Sequence, residues 1–557
     1  MAALLLEQRR TEPPPGNGYQ LLDQLRADLT QLRAEVETLR RDNLELRQQA
    51  SYWKSMHARS LQRLTVLVQD NDHLRGEVAR LQAQLFGQKS EKQAARDRSN
   101  DLVGLDDEVA AGDPKPVKRP RPGPQRRDFS HLPVREELVE LPEAEQVCPH
   151  CGQPWRERSD SEDSEQIEIE VQAYRRVLRR RRYQATCTCA GGQTRTAPRP
   201  PKLIPKSLLG PSVWVEILLD KYASQRPTER LLAAWEFLGL PLAASPVAGG
   251  LRRLTPLFEP LHQAIQERVQ QSPYQQADET RWLVFVEKEG KEGHRWWLWV
   301  FLGADAVVYV LDPRRSHDVP EGHFRGGGSV VLMVDRLASY KAMAPVKDGR
   351  VVLAFCWAHV RRDFIAVAKS FPELKPWALA WLRLIRQAYR HNGRRREHRG
   401  GADAALRLVI SQMQAQAAAE LSAPQLRQPC RKVLESLQEH WTGLTRFVDD
   451  PHIPMDNNAS ERSLRGPAVG RKNYYGSSAE WSGQLAAYLF SLVATLQRWQ
   501  INPRTWLRWY LDGCAAAGGQ APESVAAYLP WKLSASQREA LKQPEFGSNV
   551  LDFADSS

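Results

Sequence analysis

Residues 274–286 read YQQADETRWLVFV, and four more apolar runs follow: HRWWLWVFL (294–302), AVVYVL (306–311), VVLMV (330–334) and RVVLAF (350–355). Each is short, rich in β-branched and aromatic residues, and bounded by charge or glycine, which is the texture of strands in a buried sheet. The first three runs follow one another across short turns and suggest an antiparallel meander. Gly326–Gly328 break the chain before the fourth run, and helical residues 336–345 separate it from the fifth. That spacing suggests a parallel extension. The expectation is a mixed sheet in which the first and fourth strands are neighbours.

Two acids then fall together. Asp278 lies near the end of the first run, in ADET, and Asp335 ends the fourth, in VLMVD. Both carboxylates can leave one edge of the sheet. Downstream, Trp377, Trp381, Ile385 and Ala388, then Val433, Leu437, Trp441 and Leu444, recur at helical spacing. They predict an all-helical insertion at about 371–448. It ends before MDNNASERSLR (455–465), where Asp456, Asn457 and Asn458 are natural helix N-caps and Glu461 is set amid Arg462 and Arg465. Read alone, Glu461 is a capping acid on a solvated helix. Packed on the sheet, the same helix closes a set of three carboxylates. Three hard oxygen donors at one edge are what two Mg²⁺ (or Mn²⁺) ions per active site require.

The rest of the chain frames that reading. At 557 residues it is too long for one core, and about three to five domains are expected. Its 42% hydrophobic content, with 17 Trp and 14 Phe, supplies a large buried sheet. A net charge of +12 and a pI near 9.4 favour a polyanionic partner, nucleic acid before an anionic membrane surface. No apolar run of about 18 residues appears, so no membrane span is expected. The start, MAALLLEQRR, reads as no signal peptide. Seven cysteines then point to a reducing compartment, where paired cysteines are metal ligands more often than disulfides.

Leu22, Leu25, Leu29, Leu32, Val36, Leu39, Asn43 and Leu46 alternate by three and four residues, and Leu64, Leu67, Asn71, Leu74, Val78, Leu81 and Leu85 repeat the pattern. These are heptad seams with an asparagine at an a position, the pattern of a coiled coil in a homo-oligomer of at least two chains. The alternative is a long helix packed on its own domain. An acidic stretch and the proline-rich DPKPVKRPRPGPQRR (113–127) read as an extended linker. Cys148 and Cys151 in CPHC, with Cys187 and Cys189 in CTC, can close on one structural Zn²⁺, with His150 as a substitute ligand. Between the pairs lie a strand-like IEIEV and six arginines from Arg175 to Arg182. Of these, Arg179, Arg180, Arg181 and Arg182 are candidate phosphate contacts. Helical periodicity over 200–272 reads as a small helical, DNA-binding domain.

LFGQKSEK, CPHC, KLIPKSLL, DKYASQRPTER, ADET, VDRLASY, CWAHVRRDF, DNNASERSLR, GRKNYYGS and YLPWKL together carry a resemblance. The chain resembles the insertion-sequence-66 family of bacterial DDE transposases along almost its whole length. The resemblance implies a multidomain α+β protein with a ribonuclease-H-like core, in which Asp278, Asp335 and Glu461 form the metal-binding triad. It implies Mg²⁺-dependent cleavage at element ends and transfer of the 3′-hydroxyl into target DNA. Terminal inverted repeats, target DNA and accessory proteins of the same element are the implied partners, in the bacterial cytoplasm at the nucleoid. The family commonly has glycine after the second Asp, where this chain has Arg336, a cation that either crowds the acidic site or points away. Cys356 and His359 resemble a C-x-x-H signature near the second Asp of several DDE transposases, here candidates for active-site support. Their other reading is the start of a helix packed on the sheet, with Arg361 and Arg362 outward. Arg465, Arg471 and Lys472 are candidates for gripping the cut strand.

The expected domains are a coiled coil at 18–92, a linker at 93–145, a zinc-binding ribbon at 146–192 and the helical domain at 200–272. A catalytic domain at 273–502 and a C-terminal helical segment at 503–557 complete the chain. Two other readings remain at this stage: a non-catalytic zinc and coiled-coil DNA-binding protein, and a ribonuclease-H-like nuclease without joining activity.

Overall fold

The structure is a computed structural model that describes residues 18–86, parts of 134–184, and 194–542 apart from 288–292 and 399. The chain divides into two units between residues 107 and 108.

The described residues of the first unit form one helix, α1 (Gly18–Phe86), 69 residues long. Leu22, Leu25, Leu29, Leu32 and Leu39 are between 52% and 60% exposed along it. The first heptad seam is therefore an exposed apolar stripe. The side chains of the second seam, from Leu64 onward, lie outside the described residues.

In the second unit the first described pairings are two short antiparallel ones. Val147 pairs with Pro154 around the first cysteine pair, and β1 (Arg182–Gln184) pairs antiparallel with β2 (Thr194–Thr196). Arg182 is the only one of the arginine run inside a strand, and the described residues of IEIEV form none. A strand needs a partner edge, and β2 is only three residues long.

Three helices follow: α2 (Pro211–Tyr222), α3 (Thr228–Glu236) and α4 (Ala244–Gln270). Leu251, Leu254, Phe258, Leu261, Ile265 and Val269 form the buried stripe of α4, at the spacing that keeps one helical face inward. Gly250 lets α4 approach α2, since a Cβ there would stand 1.9 Å from the Trp214 ring.

The sheet has five strands in the order β5-β4-β3-β6-β7. They are β3 (Tyr274–Leu283), β4 (Arg295–Leu302), β5 (Val307–Asp312), β6 (Val330–Val334) and β7 (Val351–Phe355). β3, β4 and β5 form the antiparallel meander, while β6 and β7 extend it in parallel from β3. Both parts of the expectation hold.

After β7 come α5 (Trp357–Ser370) and the helices of the expected insertion: α6 (Lys375–Arg396), α7 (Ala402–Ser422), α8 (Gln428–Glu439) and α9 (Trp441–Asp449). Then α10 (Asn458–Tyr474) packs on β3 and β4. Next, α11 (Glu480–Arg498) covers the outer edge of β5. There Ser491 and Thr495 accept hydrogen bonds from the backbone N–H groups of Tyr309 and Val307, at 2.8 and 3.1 Å. An edge satisfied this way offers no template for another chain. α12 (Pro503–Ala516) closes against α2. Trp214, Trp282, Trp296, Trp299, Trp357, Trp381 and Trp506 are fully buried, so much of the tryptophan content builds the core. No helix among the described residues is long and apolar enough to cross a membrane.

Candidate active site

β3 is where the sheet changes from antiparallel to parallel. Its pairing with β6 covers only Tyr274–Gln276 against Val331–Met333. Continuing that register by two residues sets Asp278 level with Asp335, where the strands part. Asp278 is therefore mid-strand rather than at the end of β3, but it stands at the end of the parallel pairing. Splayed carboxyl ends at such a switch point leave the crevice in which open sheets hold their ligands.

Asp335 accepts the backbone N–H of Leu337 at 3.0 Å, which fixes the turn out of β6. Asp278 accepts the backbone N–H of Glu279 at 2.9 Å. Even so, its carboxyl is pushed up to about 7, by burial first and then by the negative charges of Glu279, Asp335 and Glu461. Asp335 and Glu461 thus both lie within electrostatic reach of Asp278. A carboxyl raised this far is one whose ionisation is opposed by burial and, beyond that, by the negative charges around it.

Glu461 lies in the first turn of α10. A buried asparagine sets the placement of that helix. Asn457 is 1% exposed, and its side-chain amide donates to the carbonyl of Ala277, next to Asp278, at 2.7 Å. Its side chain does not cap the helix, contrary to the simplest reading of an Asn at this position. It ties α10 to the acidic strand instead, while Asp456 accepts the N–H of Asn458.

Several neighbours were not singled out in the sequence. The Glu279 side chain is 2% exposed and pairs with Arg315 at 2.6 Å, while Tyr340 donates to its other oxygen at 3.0 Å. Arg315 also stacks over Trp297. Arg362, outward in one of the two readings of this stretch, is half-exposed and pairs with Glu461 at 2.6 Å. Arg336 turns away from the acids: its guanidinium is held by Asp363 on α5 and by Ser436 on α8. The cation in the usual glycine position thus anchors the helical region.

Cys356 is buried at the N-cap of α5 and accepts the Asn457 N–H at its sulfur, 3.1 Å away. His359, one turn on, has a buried Nδ1 with no hydrogen-bond partner. Burial lowers its basicity first, and Arg362 adds to that, against the charges of Asp335 and Glu461. One donor atom each from Cys356, His359 and Glu461 lies within 4.8 Å of the others.

Of the candidate phosphate contacts on α10, Arg465 and Lys472 are exposed, whereas Arg471 donates to Thr280 and the carbonyl of Arg281 on β3. Arg179 and Arg181–Arg182 are exposed, and Arg180 is half-buried. Farther along α10, Asn473 and Tyr474 bond to Gln225, joining GRKNYYGS to DKYASQRPTER. Gly476, the last but one residue of that motif, has φ +146°, and a Cβ there would meet the Leu283 carbonyl at 2.1 Å.

At the first cysteine pair, Cys148 N–H bonds to Gln153 and Gly152 turns at φ +73°. Backbone N–H groups of His150 and Cys151 hold the Cys148 thiol below its ordinary range. Cys187 and Cys189 lie outside the described residues.

The Transposase IS66 family profile matches residues 206–485, and a second profile, described as Transposase C of IS166 homeodomain, matches residues 73–136. Two proteins of Sinorhizobium fredii are similar over most of both chains. Protein y4jD is 26% identical over 83% of this chain and 95% of its own, and y4hP is 23% identical over 82% and 87%. Among solved structures, the Mos1 strand transfer complex aligns with 30% of this chain and 63% of its own, at 14% identity and a TM-score of 0.11. A superposition at that level does not by itself establish a shared fold. The family profile spans half the chain, from the helices ahead of β3 into α11, and includes all three acids. The chain belongs to the IS66 family of transposases.

Proposed function

We propose that the protein is a DDE transposase that cleaves DNA at the ends of its element and joins the 3′-hydroxyl to target DNA, using Asp278, Asp335 and Glu461. The observation that carries this reading is that Asp335 and Glu461 both act electrostatically on Asp278, at the point where β3 and β6 part, with Asp278 raised to about 7. The strand order and the helix α10 packed across β3 also support a ribonuclease-H-like core.

A divalent cation fits this donor set. All three groups are hard oxygen donors, and their crowded charge is what a Mg²⁺ ion relieves. When bound, Mg²⁺ supplies charge neutralisation at the phosphate and activation of the attacking hydroxyl or water. The chain's own residues do the positioning. Asn457 holds Glu461 against the Asp278 strand. Glu279, clamped by Arg315 and Tyr340, fixes the backbone beside Asp278. Arg362 neutralises Glu461 until a cation takes that role. The exposed Arg465 and Lys472 are placed to hold phosphates leading into the site, while Arg471 is partly committed to β3.

The flanking parts serve assembly and DNA capture. Cys148, Cys151, Cys187 and Cys189 would hold one Zn²⁺ between the two short pairings, a fit supported by the turn around Cys148. The arginines beside the second pairing would contact phosphates. The exposed seam of α1 would pair with a second copy.

The test is to incubate purified protein with Mg²⁺, a labelled element-end duplex and a target plasmid. Joined product is expected. Cleavage without joining would reduce the reading to a nuclease, and DNA binding without either would leave a non-catalytic relative.

A further inference from the structure

We propose that Cys356, His359 and Glu461 form a second, softer metal site that takes Zn²⁺ or a similar borderline divalent ion. By drawing Glu461 away from Asp278 and Asp335, an ion there would oppose the Mg²⁺-dependent reaction. The competition rests on the transposase reading above, whereas the metal site itself does not.

The donors come from two elements. Cys356 and His359 stand three residues apart at the start of α5, a spacing that puts both side chains on one side of the first turn. Glu461 reaches the same place from the first turn of α10. One sulfur, one imidazole nitrogen and one carboxylate oxygen lie within 4.8 Å of one another. Tetrahedral zinc holds sulfur at about 2.3 Å and nitrogen or oxygen at about 2.0–2.2 Å, so an ion needs these donors to close in by about 1 Å. Rotation of a carboxylate that is 33% exposed can supply much of that.

Two observations argue for a ligand here rather than idle packing. The His359 Nδ1 is buried without a partner, and a buried orphan nitrogen costs free energy that coordination recovers. The sulfur of Cys356 already accepts the Asn457 N–H, a bond that partly offsets the burial that pushes this thiol up and leaves the sulfur facing the other two donors. Thiolate and imidazole suit zinc and are poor partners for magnesium, whereas three carboxylates suit magnesium. Glu461 belongs to both sets. A zinc ion bound to Cys356 and His359 would thus remove the one carboxylate that α10 contributes, and would displace Arg362 from it.

The experiment uses the full-length protein. Wild type, Cys356→Ser and His359→Ala are equilibrated with a slight excess of Zn²⁺, freed of unbound metal, and the zinc per chain is measured on monodisperse material. Each variant should hold one equivalent less than wild type, and the Cys148 cluster contributes equally to all three. Cys356 is buried and its variant can fail to fold, so His359→Ala, at a half-buried position, carries the test alone if needed. An unchanged zinc count in folded His359→Ala overturns the site. Where the joining reaction is present, Zn²⁺ should inhibit it against Mg²⁺, and His359→Ala should raise the inhibitory concentration by at least about tenfold. Loss of zinc without any shift in inhibition overturns the competition. A protein that joins no DNA fails the transposase reading, while its zinc count still decides the site.

Discussion

Asp278→Asn keeps the shape of the side chain and removes a charge that the fold opposes. The folded carboxyl is at about 7 against an ordinary value of 3.8, with burial as the leading cause. The sign follows from proton counting. Below the ordinary value, folded and unfolded chains both carry the proton and the group contributes nothing. Between the two values the folded state keeps a proton that the unfolded state has released, so stability falls as pH rises. Above about 7 the whole penalty is present. About three pH units at about 1.4 kcal/mol each give a penalty of about 4 kcal/mol at pH 8 and about 1 at pH 4.5. Relaxation and admitted water lower the pH 8 figure to about 2. In metal-free buffer, Asp278→Asn should therefore be more stable than wild type by about 2–4 kcal/mol at pH 8, with most of the gap gone at pH 4.5. Added Mg²⁺ should stabilise wild type and close the gap, because a bound cation favours the ionised carboxylate. Urea denaturation of both proteins at the two pH values, with chelator and with Mg²⁺, gives the comparison. A variant no more stable than wild type at pH 8, or a gap that does not change with pH, would refute the picture of crowded, uncompensated charge.

Three other outcomes are expected. Asn457→Ala loses the bond to the Ala277 carbonyl and should cost about 1–3 kcal/mol; because α10 then loosens from β3, joining should fall further than stability alone explains, and a rate loss no greater than a remote destabilising variant shows would count against the anchoring role. A fragment of residues 18–92 should run as a dimer or higher form by light scattering at micromolar concentration, since its leucine stripe is exposed; a clean monomer rejects pairing through α1. Cys187→Ser in the full-length chain should hold one zinc fewer than wild type, and an unchanged content would remove the ribbon.

The strand order was legible because the last four runs of the sheet are continuous and apolar, the first is marked by its aromatic and β-branched end, and the gaps between runs differ in kind. Short turns joined β3, β4 and β5, while helical connections separated β6 and β7, and each forces one pairing sense. Asp278 and Asp335 were legible from that order alone. The placement of Glu461 was not, because an acid in the first turn of a helix has a sufficient local explanation as a cap. The bond that decides it, from Asn457 to Ala277, spans 180 residues and leaves no local periodicity. Glu279 was passed over because alternation along a strand assigns neighbours of Asp278 to the opposite face, yet its charge still reaches the site. Arg336 and Arg362 were ambiguous for a further reason. A long cationic side chain has many reachable partners, and only the packed helices select Asp363 for one and Glu461 for the other.

The most direct test of the three-carboxylate site is the joining rate of Glu461→Gln beside wild type, in Mg²⁺, with folding checked by thermal melting and DNA affinity measured in parallel. If Glu461 holds a metal, joining should fall by several orders of magnitude while the fold and DNA affinity survive. Pairing the change with Asp335→Asn should then add little, because such residues act as one unit. If Glu461 only caps α10, the change should cost at most about 1 kcal/mol of stability, and joining would continue at near the wild-type rate, which would contradict the assignment of the site.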